Sequence, residues 1–124
     1  MLANHDIEGD LAALLISQGW DASAPPISPD FDTPYIIITR TGGSTFDRVV
    51  ETSHVSIDVY GTKWADAVED ANEVGAYLRD LDTLADSQVY RCDVSPCYNN
   101  PDPNRPSLAR VTFTVNIDIR MEAI

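Results

Sequence analysis

The most constraining feature of this sequence is a strand that turns directly into a helix. Residues Val55 to Tyr60 alternate between apolar and polar side chains, which is typical of a strand with one buried face. Gly61 then leads, with almost no loop, into an amphipathic segment that ends near Leu81. A sheet and a helix that bury their apolar faces against each other form an α+β domain. No residue in this unit belongs to a recognisable catalytic pattern.

The size and composition fit one domain spanning residues 1–124. A chain of this length buries roughly two thirds of its unfolded surface, so a single core can support it. No apolar run approaches the ~20 residues that a bilayer requires. The first residues lack the basic and apolar regions of a signal peptide. We therefore expect a soluble, intracellular protein that does not bind membranes.

The charge balance is strongly acidic, with 20 acidic and 8 basic residues and a formal net charge of −12. Such a surface repels nucleic-acid phosphates and anionic membranes, so tight binding to DNA is disfavoured. The same surface would let DNA slide past without holding it. A general solubilising role is the simpler interpretation.

Apolar periodicity predicts two helices and four strands. The first helix is expected from Asp6 to Ser17, and the second from Gly61 or Thr62 to about Leu81. The strands are expected at Tyr35–Thr39, Val49–Tyr60, Gln88–Ser95 and Ala109–Met121. The predicted fold is α+β, with a single, mainly antiparallel sheet of about four strands packed against the two helices. The last strand is about twice the usual length, and part of it is expected to extend beyond its own sheet toward another chain.

A glycine inside the second predicted helix, Gly75, costs about 1 kcal/mol relative to alanine. It lies on the apolar stripe of that helix. We therefore expect close packing between the helix and a neighbouring element at this position.

The two cysteines, Cys92 and Cys97, have four residues between them, a spacing that is not that of a zinc pair. A disulfide closing this short loop is geometrically possible, although an intracellular protein keeps its thiols reduced. The spacing leaves both states open.

The sequence contains few groups suited to catalysis. His54 belongs to no recognisable triad, and His5 lies near the amino terminus. Asp30 and Asp32 are close enough in sequence to contact a divalent cation or act as acid and base, but turn chemistry between prolines explains them better. We expect no enzyme, no metal and no cofactor. A small ligand-binding or enzymatic domain using Asp30, Asp32 and His54 is the alternative.

Residues Gly42 to Thr45 are rich in glycine but lack the patterns of phosphate-binding loops. The first interpretation is the tip of a hairpin between two strands. The second is a mobile arm that orders on a partner, with Phe46 as one of its contact groups.

Three segments, taken with the order of predicted elements, resemble a known family. They are Tyr35–Arg40 before the glycines, Val55–Gly61 running into Trp64–Ala67, and Arg110–Val115 after a proline-rich loop. From about Asp6 to Met121, the chain resembles the tail terminator, or tail-completion, proteins of long-tailed bacteriophages.

The resemblance implies a virion structural protein that assembles in the host cytoplasm. It implies a hexameric ring that caps the tail tube and joins it to the head–tail connector, with the tube and connector proteins as partners. DNA would pass through the lumen without specific binding. The family has no shared catalytic residues. Another neck component, such as a stopper or adaptor, is the alternative within the same class.

Two groups of residues become candidates under this resemblance. Contacts with ring mates or the tube are expected at Gly42, Gly43, Ser44, Phe46, Tyr98, Arg105 and Pro106. An acidic lumen wall is expected from Asp58, Asp66, Glu69, Asp70 and Glu73.

Overall fold

The computed structural model describes residues 1–46 and 48–124, and this part of the chain contains two α-helices and nine strands. The helices are α1 (Ile7–Ser17) and α2 (Trp64–Arg79). The strands are β1 (Leu2–Ala3), β2 (Ala22–Ser23), β3 (Tyr35–Phe46), β4 (Val50–Gly61), β5 (Thr83–Leu84), β6 (Ser87–Val94), β7 (Tyr98–Asn99), β8 (Ala109–Arg120) and β9 (Glu122–Ala123).

Seven of these strands form the main sheet, in the order β2-β3-β4-β8-β6-β5, with β7 also paired to β8. A second sheet consists of β1 and β9. Every pair is antiparallel except β2 with β3. The α+β class is confirmed, but the prediction of a single sheet of about four strands is wrong. The additional strands have two residues each, too few to show the alternation from which a strand is predicted.

The long strand β8 lies entirely inside its own sheet. It pairs with β4 at every position from Ala109 to Arg120. On its other side it pairs first with β7 and then with β6. The prediction that β8 extends toward another chain is therefore wrong, because β4 is equally long and pairs with β8 over its full length.

Both helices pack on one face of the main sheet, and this layer is the core. The sheet contributes the buried side chains of Ile36, Ile38, Val55, Ile57, Val59, Val111, Phe113, Val115, Ile117 and Ile119. The helices contribute Ile7, Leu11, Leu15, Ala67, Ala71, Val74 and Leu78. Burying each of the larger side chains contributes about 1.5–3 kcal/mol before the entropy cost is subtracted.

Gly75 is the point where α2 approaches the sheet closely, as predicted. A Cβ atom at this position would lie 3.2 Å from Val94 Cγ1 and 3.9 Å from the Phe113 ring. The absence of a side chain on α2 here therefore allows the helix to settle onto β6 and β8.

Local chemistry explains where α1 begins and ends. The side chain of Asp6 accepts a hydrogen bond from the Gly9 N–H at 3.3 Å, which satisfies one free donor of the first turn. Glu8 and Asp10 lie in that turn, where negative charge complements the helix dipole. Gly19 follows the last turn with a φ of +94°, a conformation that glycine adopts readily.

Candidate interaction surfaces

Two proline-containing loops cover one end of the sheet face that the helices leave open. One loop precedes β3 and the other precedes β8. Phe31 from the first loop stacks on Tyr35, with ring centroids 4.5 Å apart, and meets Tyr60 edge-on at 5.0 Å. The guanidinium of Arg105, from the second loop, lies 5.0 Å from the Phe31 centroid. We call this assembly the loop clasp: Phe31, Tyr35, Tyr60, Asp102, Arg105 and Arg110.

A buried carboxylate organises the loop clasp. Asp102 is only 6% exposed. Its Oδ2 accepts hydrogen bonds from the Tyr60 hydroxyl at 2.8 Å and from Arg105 Nη1 at 3.0 Å. Its Oδ1 accepts the backbone N–H of Asn104 at 2.9 Å. These bonds tie the loop before β8 to the end of β4.

The pKa of Asp102 reflects a balance of two opposing effects. Burial alone would raise the pKa of this carboxyl, and it is the largest single effect. The hydrogen bonds from Tyr60, Asn104 and Arg105, with the nearby charge of Arg110, outweigh it together and hold the pKa below the ordinary value of 3.8. Burial and the bond to Asp102 raise the pKa of Tyr60 above its ordinary value of 10.0, so its hydroxyl stays protonated well beyond neutral pH.

Arg110 anchors the second loop from β8. Its Nε donates to the Asn100 carbonyl at 2.6 Å, and its Nη2 donates to the Pro101 carbonyl at 3.3 Å. It therefore satisfies two backbone acceptors that would otherwise need water. These side-chain hydrogen bonds hold the loop in one conformation without the help of regular secondary structure.

The predicted contact residues of this loop differ in their surroundings. Tyr98, in β7, is 53% exposed. Arg105 is half-buried and bound to Asp102, so its side chain supports the loop from within. Pro106 is exposed and lines a groove of about 330 Å³ together with Asp30 and Phe31.

The glycines do not form a hairpin tip. Gly42, Gly43 and Ser44 lie inside β3, opposite His54, Ser53 and Thr52 of β4. The strand continues to Phe46, whose backbone pairs with Val50, and the side chain of Phe46 lies outside the described part of the structure. The tip interpretation is therefore wrong.

Close packing explains the glycine at position 43. A Cβ atom there would lie 2.3 Å from the Thr52 carbonyl oxygen and 2.4 Å from Arg40 Nη2. The Arg40 side chain therefore lies against the bare backbone of Gly43. A β-bulge between Arg40 and Gly42 shifts the register just before this contact.

We call residues 40–46 and 50–54 the arm. The amino-terminal segment covers the face of the arm that lies on the same side of the sheet as the helices. Glu51 and Ser53 are each 1% exposed. The His5 backbone N–H donates to Glu51 Oε1 at 2.8 Å. The Nε2 atom of the His5 ring lies 2.8 Å from the Arg120 carbonyl oxygen. A carbonyl only accepts, so this ring nitrogen carries a proton. His5 therefore ties the amino terminus to the arm and to the end of β8, a role with no signal in the sequence.

The candidate lumen acids lie on two sides of the sheet. Asp58 lies on the open face, where its Oδ1 accepts a hydrogen bond from the Thr112 hydroxyl at 2.6 Å. The other four belong to α2, which covers the opposite face: Asp66, Glu69, Asp70 and Glu73.

The acids of α2 form a continuous charged surface. Three of them line a groove of about 420 Å³ together with Thr33 and Thr62: Asp66, Glu69 and Asp70. Burial, then repulsion from Glu73, Glu69 and Asp66, raises the pKa of Asp70. The carboxylates of this surface are therefore close enough to repel one another.

The groups needed for a small active site do not converge. Asp30 lines the groove beside Pro106, whereas His54 lines a different groove and contacts Asn116 Oδ1 at 2.6 Å. Within residues 1–46 and 48–124, no three His, Cys, Asp or Glu side chains are grouped to hold a metal. Neither described helix has the length and apolar character needed to cross a bilayer.

Both cysteines are free thiols. Cys92 is buried in the core, and burial followed by the charge of Asp93 raises its pKa to about 11. Cys97 instead contacts Asn72 of α2, with its Sγ 3.6 Å from Oδ1.

Comparison with known proteins adds a likeness in fold. No protein-family model matches the sequence, and no curated protein matches it. Eighteen chains of solved structures match. One belongs to a structure described as the virion of a native gene transfer agent particle, with a TM-score of 0.58 and 14% sequence identity. The alignment covers 89% of this chain and 84% of that one, so the two chains share their fold over most of their length.

Proposed function

We propose that this protein is a structural component of a tailed phage or phage-like particle, and that within it the chain forms a tail terminator ring. The observation that carries the proposal is the shared fold with a chain from the gene transfer agent virion, over 89% of this chain. In this proposal the ring caps the tail tube and contacts the head–tail connector.

The shape of the subunit suits a ring. In this proposal the ring meets the tail tube on one side and the connector on the other, so each subunit must present a different surface on each side. The loop clasp lies at the Tyr60 end of β4, and the arm lies at the Val50 end. At about 3.3 Å per residue, these ends are separated by roughly 35 Å. The subunit therefore carries two distinct built surfaces at opposite ends of its longest strands.

Deletion of the gene from the genome that encodes the particle tests this proposal. We expect filled heads and separate tails of irregular length, because nothing would stop tube growth or offer a surface to the connector. Negative-stain microscopy of the lysate measures both features, and the intact gene supplied in trans is the control.

Two other outcomes distinguish the alternatives. Tails of normal length beside heads that lose their DNA would indicate a stopper or adaptor in place of a terminator. Normal joined particles would contradict a structural role in the neck.

The acidic surface of α2 is proposed to face the DNA passage of the ring. Carboxylates at the wall would leave phosphates unbound, whereas a neutral wall removes that repulsion. We expect neutralisation of the surface (Asp66→Asn, Glu69→Gln, Asp70→Asn, Glu73→Gln) to slow genome ejection, measured by release of dye-accessible DNA. The matched control neutralises two exposed acids elsewhere, Asp82→Asn and Asp86→Asn. Equal ejection rates for both variants and the wild type would remove this assignment.

A further inference from the structure

The outer edge of β3 has no neighbouring strand over most of its length, within the described residues. β2 pairs only with Ile36 and Ile37, whereas β3 continues to Phe46. The Ile36 N–H points outward, since it donates to the Asp21 carbonyl at 2.9 Å. Strand residues alternate in direction, so the N–H of Arg40 points outward as well. A row of unpaired backbone groups of this kind is a template for another strand.

A side chain occupies this edge where a strand would lie. The Arg40 N–H donates to Glu8 Oε2 at 2.8 Å, and Glu8 comes from the first turn of α1. A hydrogen bond to an ionised carboxylate is stronger than one to a neutral acceptor. Glu8 therefore satisfies the donor that an incoming strand would need first, and the adjacent bulge further disturbs the edge.

The opposite edge of the same sheet is also open. β5 covers only Ser87 and Gln88 of β6, so the outer side of residues 90–94 has no strand partner in the described part of the chain. Five residues are a usual length for a strand pairing.

The directions of the two edge strands allow them to pair between neighbouring copies. Three antiparallel steps, β3 to β4, β4 to β8 and β8 to β6, make β3 and β6 run in opposite directions. Rotation about an axis along the strands leaves the direction of each strand along that axis unchanged. In a ring around such an axis, β3 of one copy would meet β6 of the next in antiparallel orientation, which forms the straighter hydrogen bonds.

We propose that residues 38–45 of β3 form a strand-pairing surface for residues 90–94 of β6 in a second copy of this chain, and that Glu8 guards this surface in the free subunit. The inference rests on the proposed ring-forming function. It adds a switch: assembly displaces the Glu8 carboxylate from the Arg40 N–H and replaces it with a backbone carbonyl of the neighbouring copy.

Removal of the Glu8 carboxylate tests the proposal. Self-association is measured by sedimentation velocity over a range of protein concentrations. Glu8→Ala is expected to self-associate at about tenfold lower concentration than the wild type, since tenfold corresponds to 1.4 kcal/mol and a hydrogen bond to a charged group contributes at least about that much. The matched control is Glu122→Ala, which removes the same side chain from the exposed strand β9. It is expected to sediment like the wild type.

A second substitution, added to Glu8→Ala, blocks strand pairing at this edge. Thr45 lies opposite Glu51, and Arg40 lies opposite Val55. Because Glu51 and Val55 are four residues apart in β4, both pairs have the same hydrogen-bonding type, so the Thr45 N–H also points outward. Proline is tolerated at such an edge position and removes the outward donor. Thr45→Pro added to Glu8→Ala is expected to return the protein to wild-type sedimentation, with circular dichroism confirming the fold.

Hydrogen exchange then identifies the partner strand. In associated Glu8→Ala, the amides of residues 38–45 and 90–94 are expected to gain protection together. Wild-type sedimentation of Glu8→Ala, association that survives Thr45→Pro, or association without protection of residues 90–94 would each overturn the proposal. If deletion of the gene still leaves heads and tails unjoined, the ring function stands without this edge; joined particles would remove the function itself.

Discussion

Replacing Asp102 with alanine is expected to lower the free energy of unfolding by about 2–3 kcal/mol. Removal of one partner from a fully buried ion pair costs about 3–5 kcal/mol. The Arg105 and Arg110 side chains remain 21% and 19% exposed, so water can partly replace the lost carboxylate and reduce that cost. Urea unfolding at neutral pH measures the change.

The matched control for this variant is Asp30→Ala, on the neighbouring loop. Asp30 is exposed, so its replacement should change stability by less than about 0.5 kcal/mol. Equal stabilities of the two variants would show that the carboxylate of Asp102 does not hold the loop clasp together.

The pH dependence of the same variant has a definite sign. Because the pKa of Asp102 is lower in the folded protein than its ordinary value of 3.8, its contribution is fully present above that value. It is lost as the pH falls below 3.8 toward the folded pKa. Asp70, whose pKa is raised, acts in the opposite direction. The difference in stability between wild type and Asp102→Ala should therefore shrink with falling pH below about 4, whatever the contribution of Asp70.

Replacing Phe113 with alanine is expected to destabilise the protein by about 3–5 kcal/mol, through lost burial and the cavity that remains. Phe113 is 1% exposed, and its ring faces Gly75 where α2 approaches the sheet. The neighbouring Thr114 points to the other face and is exposed, so Thr114→Ala should cost less than about 0.5 kcal/mol. Thermal and urea unfolding measure both. Similar losses for the two variants would contradict the assignment of the buried face.

The elements that long patterns predicted are present in the structure. The expected helix at Asp6–Ser17 is found at Ile7–Ser17, with Asp6 as its cap. The expected last strand at Ala109–Met121 is found at Ala109–Arg120. These elements are long enough for the helical period of 3.6 residues or the strand period of 2 residues to repeat several times. The pattern records which face of each element is buried, and for that reason it predicts the element.

The two-residue strands and the role of the glycines were not predictable in the same way. Gly42 and Gly43 have the composition of a tip, but their partners in β4 keep them inside a strand. The contact between Arg40 and Gly43 involves a register shift that no local pattern records.

The candidate surfaces were only partly recognisable. The proline-rich loop and Arg105 were identified as contact candidates, but Asp102 was not, although its carboxylate organises the loop clasp. Its main partner, Tyr60, is 42 positions away in sequence. In the sequence, a polar loop residue looks the same whether its side chain is solvated or buried in the fold.

The sequence by itself determined the amphipathic elements, the α+β class and the acidic character of the surface, because these depend on side-chain type and on spacing along the chain. The tertiary structure decided which polar groups are buried, which glycines receive a neighbouring side chain and which sheet edges stay open. Those properties depend on contacts between residues far apart in sequence, such as Glu8 with Arg40 and His5 with Glu51. The free energy of each contact exists only once the sheet has brought its partners together.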